Sequence, residues 1–246
     1  MFRFEKYAII PAFTGLLLML SACSPNPGMS VYDPFERMNR GTHEFNKGLD
    51  RDILSPVSKG YSEFLPDPVE DSVSNFSSNL SLPSKIVNNV LQLDIPAAGT
   101  NLARFVVNST VGLAGIFTPS DSMGLAEINA DFGQTLQRWG AEEGAYIEIP
   151  FFGPSNIRDG IGLVVGAMLL DPASYVLKSP VSSYRSGSNV GAVLQNRQIY
   201  ADQIDDILYK SADSYAQARI VYLQNRRFKL KDSKRDAYID PYDEFE

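Results

Sequence analysis

The stretch AAGTNLARFVVNSTVGLAGIF, residues 97–117, carries two interleaved patterns at helical spacing. One side is apolar and consists of Leu102, Phe105, Val106, Leu113, Ile116 and Phe117. The other side is polar or small, with members three or four residues apart: Asn101, Arg104, Asn108, Gly112 and Gly115. The spacing predicts one helix with two different faces. Its polar face is either a surface for an amphiphilic molecule or a contact where the glycines admit a second helix.

The residues before this helix predict further helices interrupted by prolines. Asp33-Pro34-Phe35-Glu36 is typical of a helix start, with the aspartate as the cap and the proline in the first turn. Three apolar stripes follow, over residues 35–49, 69–80 and 86–93. Prolines 56, 66 and 68 stand between the first two stripes. The pattern predicts a bundle of short amphipathic helices.

The residues after position 117 contain little β signal. Residues 118–131 have the composition of a loop, and residues 144–153, GAYIEIPFFG, are the best candidate for a strand. Residues 158–170 predict an apolar, glycine-containing helix, and residues 190–231 predict one long helix or two in series. The predicted fold class is therefore mainly α, with at most a short β element around residues 145–152.

The N-terminus has the order of a bacterial export signal. Arg3 and Lys6 precede an apolar run from Tyr7 to Leu20, and small residues follow. The run is shorter than the roughly 20 residues that cross a bilayer as a helix. A cleaved signal over residues 1–22 is therefore favoured over a signal anchor.

Cys23 is the single cysteine of the chain. Leu20-Ser21-Ala22-Cys23 resembles the lipobox of bacterial lipoproteins, which implies that Cys23 is lipidated, with palmitate as a typical acyl chain, and that residues 23–32 are a tether. The alternative is a buried cysteine in an uncleaved anchor. The residue after the cysteine is Ser24 and not aspartate. In many Gram-negative bacteria this implies that the lipoprotein passes to the outer membrane.

Composition excludes several classes of function. Without its signal the chain has no cysteine and one histidine, His43, so a zinc site built on cysteine and histidine is excluded and we expect no metal or cofactor. Loss of Arg3, Glu5 and Lys6 changes the formal net charge from −7 to −8. Such an acidic chain is not expected to bind nucleic acid.

Catalytic motifs are also missing from the sequence. His43 is the only histidine that could serve a Ser-His-Asp hydrolase, and no Gly-x-Ser-x-Gly motif occurs. The run DGIGLVVG, residues 159–166, has the wrong glycine spacing for a dinucleotide site, and its glycines predict close helix packing. The sequence does not predict an enzyme.

A series of short motifs carries a resemblance to a known family. In order they are Asp33-Pro34-Phe35-Glu36, Asn39-Arg40, Phe45-Asn46, Asn75-Phe76, Asn79-Leu80, Pro83, Asn88, Leu91-Gln92, Arg104-Phe105 and Asn108-Ser109. The most specific is FGQTLQRWGAEEGAYIEIPFFGPSNIRD, residues 132–159. Behind a lipobox, these motifs closely resemble the MlaA (VacJ) outer-membrane lipoproteins. The resemblance implies one helical domain over residues 33–231, and residues 232–246 are expected to be a charged, disordered tail.

The resemblance implies a ring-like bundle of helices lying in the inner leaflet of the outer membrane. Its central passage would let phospholipids mislocalised to the outer leaflet leave toward the periplasm. A soluble periplasmic carrier of the MlaC type would receive them, and some members of the family sit against trimeric porins. This activity would maintain lipid asymmetry without catalysing a reaction.

Five residues are candidates for the passage or its gate: Phe45, Asn46, Asn101, Arg104 and Asn108. Deleting Phe45 and Asn46 would rotate the residues that follow in their helix by roughly 200°, which in a ring could hold the passage open. Arg104 on an apolar helix needs an anion, which is either a lipid phosphate or a carboxylate such as Asp94 or Asp131.

Two other functions compete with the passage. A phospholipase would act on the same lipids and would depend on His43. A structural lipoprotein that tethers other parts of the envelope would need no polar face on an apolar helix.

Overall fold

The computed structural model describes residues 31–172, residue 179 and residues 181–230. The predicted signal peptide, Cys23, residues 23–30 of the predicted tether and the tail at 232–246 lie outside these residues. The helices are α1 (Glu36–Leu49), α2 (Ser55–Phe64), α3 (Asp67–Leu91), α4 (Ile95–Thr110), α5 (Pro119–Ser122), α6 (Phe132–Arg138), α7 (Ile157–Leu169), α8 (Val181–Ile199), α9 (Ala201–Asp205) and α10 (Ser214–Leu230). Two π-helical segments, Asp50–Leu54 and Asp206–Lys210, follow α1 and α9. The strands are β1 (Tyr146–Ile149) and β2 (Gly153–Asn156).

The mainly α fold is confirmed, but the prediction that prolines keep every helix short is wrong. The stripes over residues 69–80 and 86–93 belong to one helix, α3, of 25 residues with Pro83 inside it. Proline removes one helical hydrogen bond and clashes with the preceding turn. Packing of α3 along α4 and α8 outweighs that cost, and Leu82 beside the proline is fully buried.

The first helix also continues farther than the prolines indicate. The π-helical segment joins α1 to α2 without a break, so Pro56 lies inside a continuous helix, where it cannot donate a backbone hydrogen bond. Asp33 does not cap α1. Phe35 occupies the N-cap position without a side-chain hydrogen bond, while Asp33 accepts hydrogen bonds from Asn39 and from Tyr215 and Arg219 of α10.

The stretch at 97–117 forms a helix only as far as Thr110. Leu113, Ala114 and Gly115 have positive φ angles of 53°, 63° and 95°, so the chain turns back there. A Cβ atom on Gly115 would lie 2.3 Å from Cβ of Asn79. Gly112 and Gly115 therefore do not extend the polar face of the helix, because they belong to a turn packed against α3.

The predicted β element is a two-stranded antiparallel hairpin that extends to Asn156. Tyr146 pairs with Asn156 and Ile149 with Gly153. The other edge of β1 is satisfied by Asn39 of α1, which donates to the carbonyl of Tyr146 at 3.1 Å and accepts from N–H of Glu148 at 2.9 Å. One asparagine side chain thus joins α1 to the hairpin.

The glycines of residues 159–166 allow helix packing, as predicted. A Cβ atom on Gly162 of α7 would lie 2.6 Å from the backbone nitrogen of Gly133 in α6. One on Gly133 would lie 2.3 Å from Oδ1 of Asp159. Helices α6 and α7 therefore touch through their backbones.

The described residues bury mostly polar side chains and expose many large apolar ones. The fully buried group is rich in asparagine and includes Asn39, Asn88, Asn89, Asn101, Asn108 and Asn156. Phe64, Leu93 and Phe228 are each more than four-fifths exposed, at 86%, 85% and 83%. Exposed apolar surface of this extent marks a membrane or protein contact. Across 31–172 and 181–230, no helix has the length and apolarity needed to cross a membrane.

Candidate functional site

A cavity of about 630 Å³ lies between the hairpin and α3, α6, α7, α8 and α10. Its volume is within the range of cavities that hold small ligands. Because its walls come from elements distributed along the described chain, the cavity exists only in the folded molecule. It is the candidate functional site.

One part of the cavity wall is apolar. Phe132 of α6, Ile149 and Phe152 of the hairpin, and Leu163 of α7 line it. Gly166 of α7 also faces the cavity, and a Cβ atom there would make only an ordinary contact, 3.9 Å from Cβ of Phe132. This part of the wall can contact hydrocarbon chains, and a side chain larger than that of glycine at position 166 would occupy part of the cavity.

Another part of the wall is an ion-pair network centred on Arg226 of α10. The Arg226 guanidinium donates to both carboxylate oxygens of Asp159 at 2.7 and 2.9 Å and to both of Asp131 at 2.7 and 2.8 Å. Tyr222, one turn earlier, donates to Asp159 at 2.8 Å. Burial alone would raise the pKa of Asp159, but the Arg226 hydrogen bonds outweigh it and the pKa lies below its ordinary value.

The helix ends around the cavity explain why these carboxylates stand where they do. Asp131 caps α6 and forms a capping box with Gln134, with the backbone N–H of Gln134 at 2.9 Å. Asn156 caps α7 and accepts from N–H of Asp159 at 2.8 Å. Local capping thus orients both helix starts, and the arginine from α10 joins them.

The other charged residues of the wall are Lys85, Asp171, Arg185 and Lys229. Lys85 of α3 pairs with Glu127, and Arg185 of α8 pairs with Asp171 at 2.5 Å. Paired charges lower the cost of placing ions beside apolar surface. The cavity is therefore amphipathic.

Phe45 and Asn46 lie against the hairpin that forms one cavity wall. Asn46 donates to the carbonyl of Ile149 at 3.1 Å and accepts from N–H of Phe151 at 2.8 Å. Phe45 is half exposed and packs edge-on against Phe151, with the ring centroids 5.3 Å apart. Their gating role stays a prediction, and the contacts supply a route by which they could act on the wall.

Asn101, Arg104 and Asn108 are buried and bind the segment over residues 118–131. Asn101 donates to the carbonyl of Ile128 at 2.8 Å and accepts from its N–H at 3.1 Å, and Asn108 accepts from N–H of Ser120. These three residues do not line the 630 Å³ cavity. That they contact lipid therefore stays a prediction, since the structure uses this face to hold a loop.

Arg104 pairs with a carboxylate, as one of the two alternatives predicted, but Asp94 and Asp131 were the wrong partners. Its guanidinium donates to Asp121 at 2.6 Å and also to the carbonyl of Leu125. Asp94 instead caps α4, and Asp131 binds Arg226. Capping explains the difference, because both aspartates lie immediately before a helix and satisfy its free N–H groups.

The structure assembles a polar trio that the sequence did not indicate. Nδ1 of His43 lies 3.2 Å from Oε1 of Glu148, and Nε2 lies 3.0 Å from Oγ of Ser214. All three side chains are buried and none of them lines the cavity. The trio has the order of a Ser-His-acid relay. Its position, between α1, β1 and the start of α10, is that of a contact that holds three elements together.

The residues of α10 that line the cavity were not predicted from the sequence. Tyr222, Asn225, Arg226 and Lys229 recur at three and four residues and share one face. The helical spacing indicated that these four residues share one face. That this face lines a cavity could not be predicted, because the cavity is formed together with the hairpin and α7.

The fold and the cavity together define a class of protein, a helical body that exposes many large apolar side chains and carries an open amphipathic cavity. The chain matches the family model described as MlaA lipoprotein over residues 31–229. It therefore belongs to the MlaA lipoprotein family, as the motifs predicted.

Relatives and a solved structure support this assignment. The chain is 31% identical over 219 residues to the intermembrane phospholipid transport system lipoprotein MlaA of Shigella flexneri, covering 86% of this chain and 84% of the relative. It is 30% identical over the same length, with the same coverage, to the protein of that name in Escherichia coli K12. A solved structure from work on the structural basis for maintenance of bacterial outer membrane lipid asymmetry aligns with a TM-score of 0.68 and 30% identity. It covers 80% of this chain and 98% of that one.

Proposed function

We propose that this protein gives phospholipids mislocalised to the outer leaflet a passage through the outer membrane toward the periplasm. It would thereby maintain lipid asymmetry. The relatives named for intermembrane phospholipid transport support this proposal. The single observation that carries it is the open amphipathic cavity of a body that also exposes many large apolar side chains.

A phospholipid requires two kinds of surface, one for its acyl chains and one for its headgroup. Its acyl chains need apolar surface, which Phe132, Ile149 and Phe152 supply. Its headgroup needs polar atoms that remain solvated or paired, and these come from α10 and the start of α7. Exposed apolar residues on short helices allow the body to lie in one leaflet without crossing both.

We further propose where the protein lies and which partners it has. Lipidation of Cys23 would anchor the chain on the periplasmic side of the outer membrane, with the helices arranged as a ring in the inner leaflet. A soluble carrier of the MlaC type would receive the lipid, and a trimeric porin could support the ring. The relatives' role in a transport system supports a handover of this kind. No bond of the lipid is made or broken.

A cavity-filling substitution tests the passage. Gly166→Leu would place a side chain into the cavity, while Gly60→Leu would place the same side chain on α2 in open space away from it. Intact cells that carry each variant are treated with an external phospholipase, and the digested outer-leaflet phospholipid is measured. We expect the Gly166 variant to accumulate outer-leaflet phospholipid as a deletion strain does, and the Gly60 variant to match wild type.

The outcomes separate the competing functions. Normal lipid asymmetry in the Gly166 variant, at wild-type abundance in the outer membrane, would overturn the passage and favour a tethering role. Release of fatty acid from phospholipid by the purified wild-type protein would favour a phospholipase instead.

A further inference from the structure

Three cations stand close together at the C-terminal end of α10: Arg226, Arg227 and Lys229. Arg226 binds Asp131 and Asp159, as described above. Arg227 donates to both oxygens of Glu143, at 3.1 and 3.0 Å. Lys229 is exposed and, among the described residues, has no hydrogen bond or ion pair. Within the described part of the chain, the helix end therefore holds two cations that pair with carboxylates and one, Lys229, that does not.

The same contrast applies within the cavity. Its cationic lining residues are Lys85, Arg185, Arg226 and Lys229. The first three each have a carboxylate within 4 Å, so their charges are locally balanced. Lys229 is the one without such a partner in the described part of the chain. An unbalanced positive charge at the cavity wall attracts an anion.

A second free donor stands one turn away on the same face. Asn225 also lines the cavity, and its side-chain amide has no hydrogen-bond partner among the described residues. Residues four apart on a helix have Cβ atoms about 6 Å apart, so both donors can reach one phosphate. The apolar surface of Phe152 and Leu163 lies in the same cavity.

We propose that Lys229 and Asn225 bind the headgroup phosphate of the lipid in the cavity, and that they favour lipids with a net negative headgroup. This inference rests on the proposed function and names its substrate class. A phosphatidylglycerol headgroup has a charge of about −1, and Lys229 is a cation that no described carboxylate compensates. In phosphatidylethanolamine the ammonium cancels the phosphate charge, so the headgroup as a whole is attracted less strongly to Lys229. The ammonium finds no free carboxylate in compensation, because Asp131, Asp159 and Asp171 of the wall already pair with arginines.

Bound lipid composition tests this proposal. The full-length lipoprotein in nonionic detergent is incubated with equimolar phosphatidylglycerol and phosphatidylethanolamine, repurified, and its bound lipids are quantified by mass spectrometry. We expect wild type to enrich phosphatidylglycerol roughly threefold, the preference that one partly exposed ion pair supports. Lys229→Gln should abolish the enrichment, Lys229→Glu should reverse it, and Asn225→Ala should reduce total bound lipid. Lys59→Gln, an exposed lysine on α2 away from the cavity, is the matched control.

Each outcome is decisive. If the enrichment is unchanged in both Lys229 variants, the headgroup site is overturned but the passage is not. The same holds if wild type binds the two lipids at the input ratio. Wild type without bound lipid overturns the proposed function as well. A further incubation with inorganic phosphate distinguishes the sources of the anion. Displacement of lipid at millimolar phosphate would show that the site recognises free phosphate, whereas unchanged lipid supports recognition of a lipid headgroup.

Discussion

Asn46 of α1 holds Phe151 at the tip of the hairpin, with Oδ1 of the asparagine 2.8 Å from the Phe151 backbone nitrogen. Phe151 has a φ of 69°, a conformation that is unfavourable for a phenylalanine. The same asparagine donates to the carbonyl of Ile149, which lines the cavity. One side chain of the first helix thus fixes the shape of a cavity wall.

We predict that Asn46→Ala loosens the hairpin tip and changes outer-leaflet phospholipid more than it changes stability. Loss of one partly buried and one exposed hydrogen bond should lower the free energy of unfolding by about 1–2 kcal/mol. The comparison variant is Thr42→Ala, because the Thr42 hydroxyl donates to the carbonyl of Met38 in its own helix and to no other described residue. Lipid accessibility on intact cells is the measurement, and equal values for the two variants would speak against a gate at Asn46.

The point substitution is sharper than deletion of Phe45 and Asn46. Because α1 continues through Asp50–Leu54 into α2, deletion would re-aim the residues up to Phe64 and not only a last turn. Asp50 within that segment binds Arg197 of α8 at 2.7 and 2.9 Å. A deletion that unfolds the protein would therefore say nothing specific about gating.

Arg104→Gln should lower the free energy of unfolding by about 2 kcal/mol, because it removes a buried guanidinium that binds the half-exposed carboxylate of Asp121 and leaves the carbonyl of Leu125 without its donor. Thermal unfolding in detergent is the measurement. Asp121→Asn, which keeps the arginine, serves as the comparison and should cost less because its carboxylate is half exposed. An unchanged midpoint together with slower lipid passage would support the lipid contact instead.

His43→Ala should destabilise the protein by about 2 kcal/mol, since Glu148 and Ser214 each lose a buried partner. Ser214→Ala removes the hydroxyl with a small change in volume and separates structure from catalysis. We expect purified wild type and Ser214→Ala to release no fatty acid from phospholipid vesicles. Release by wild type that disappears in the serine variant would make the trio a catalytic site.

The network at Asp159 predicts a loss of stability in acid. The folded-state pKa of Asp159 is lower than its ordinary value of 3.8. Its contribution to the free energy of unfolding is therefore fully present above pH 3.8 and is lost as the pH falls through the lowered pKa. Wild type should lose stability progressively below about pH 5. Asp159→Asn should already be less stable at pH 7 and lose less on acidification. Parallel pH curves for both proteins, from unfolding in detergent, would refute this assignment.

Cys23→Ala should prevent lipidation and leave the chain with its signal uncleaved at the inner membrane. The prediction follows from the lipobox at residues 20–23 and the short apolar run before it. Membrane fractionation with Ser21→Thr as a conservative control measures it. Equal recovery of wild type and Cys23→Ala in the outer membrane would contradict lipidation at this residue.

The sequence by itself determined the helical class, the family and several local elements. The apolar helix expected over residues 158–170 is observed at Ile157–Leu169, and the strand expected in residues 144–153 is β1. These elements follow from residue periodicity and from caps within a few positions, which are local properties of the chain.

Only the tertiary structure decided which polar groups meet. Asp159 and Arg226 are 67 positions apart, and His43 and Ser214 are 171 apart. No local pattern relates such residues, because their contact depends on how α1, α7, α10 and the hairpin pack together. Pro83 lies inside α3 for the same reason, since packing on both neighbours outweighs a local preference. The sequence correctly predicted that Asn101, Arg104 and Asn108 share a polar face of α4. Only the fold decided what this face binds, because it places the segment over residues 118–131 against α4.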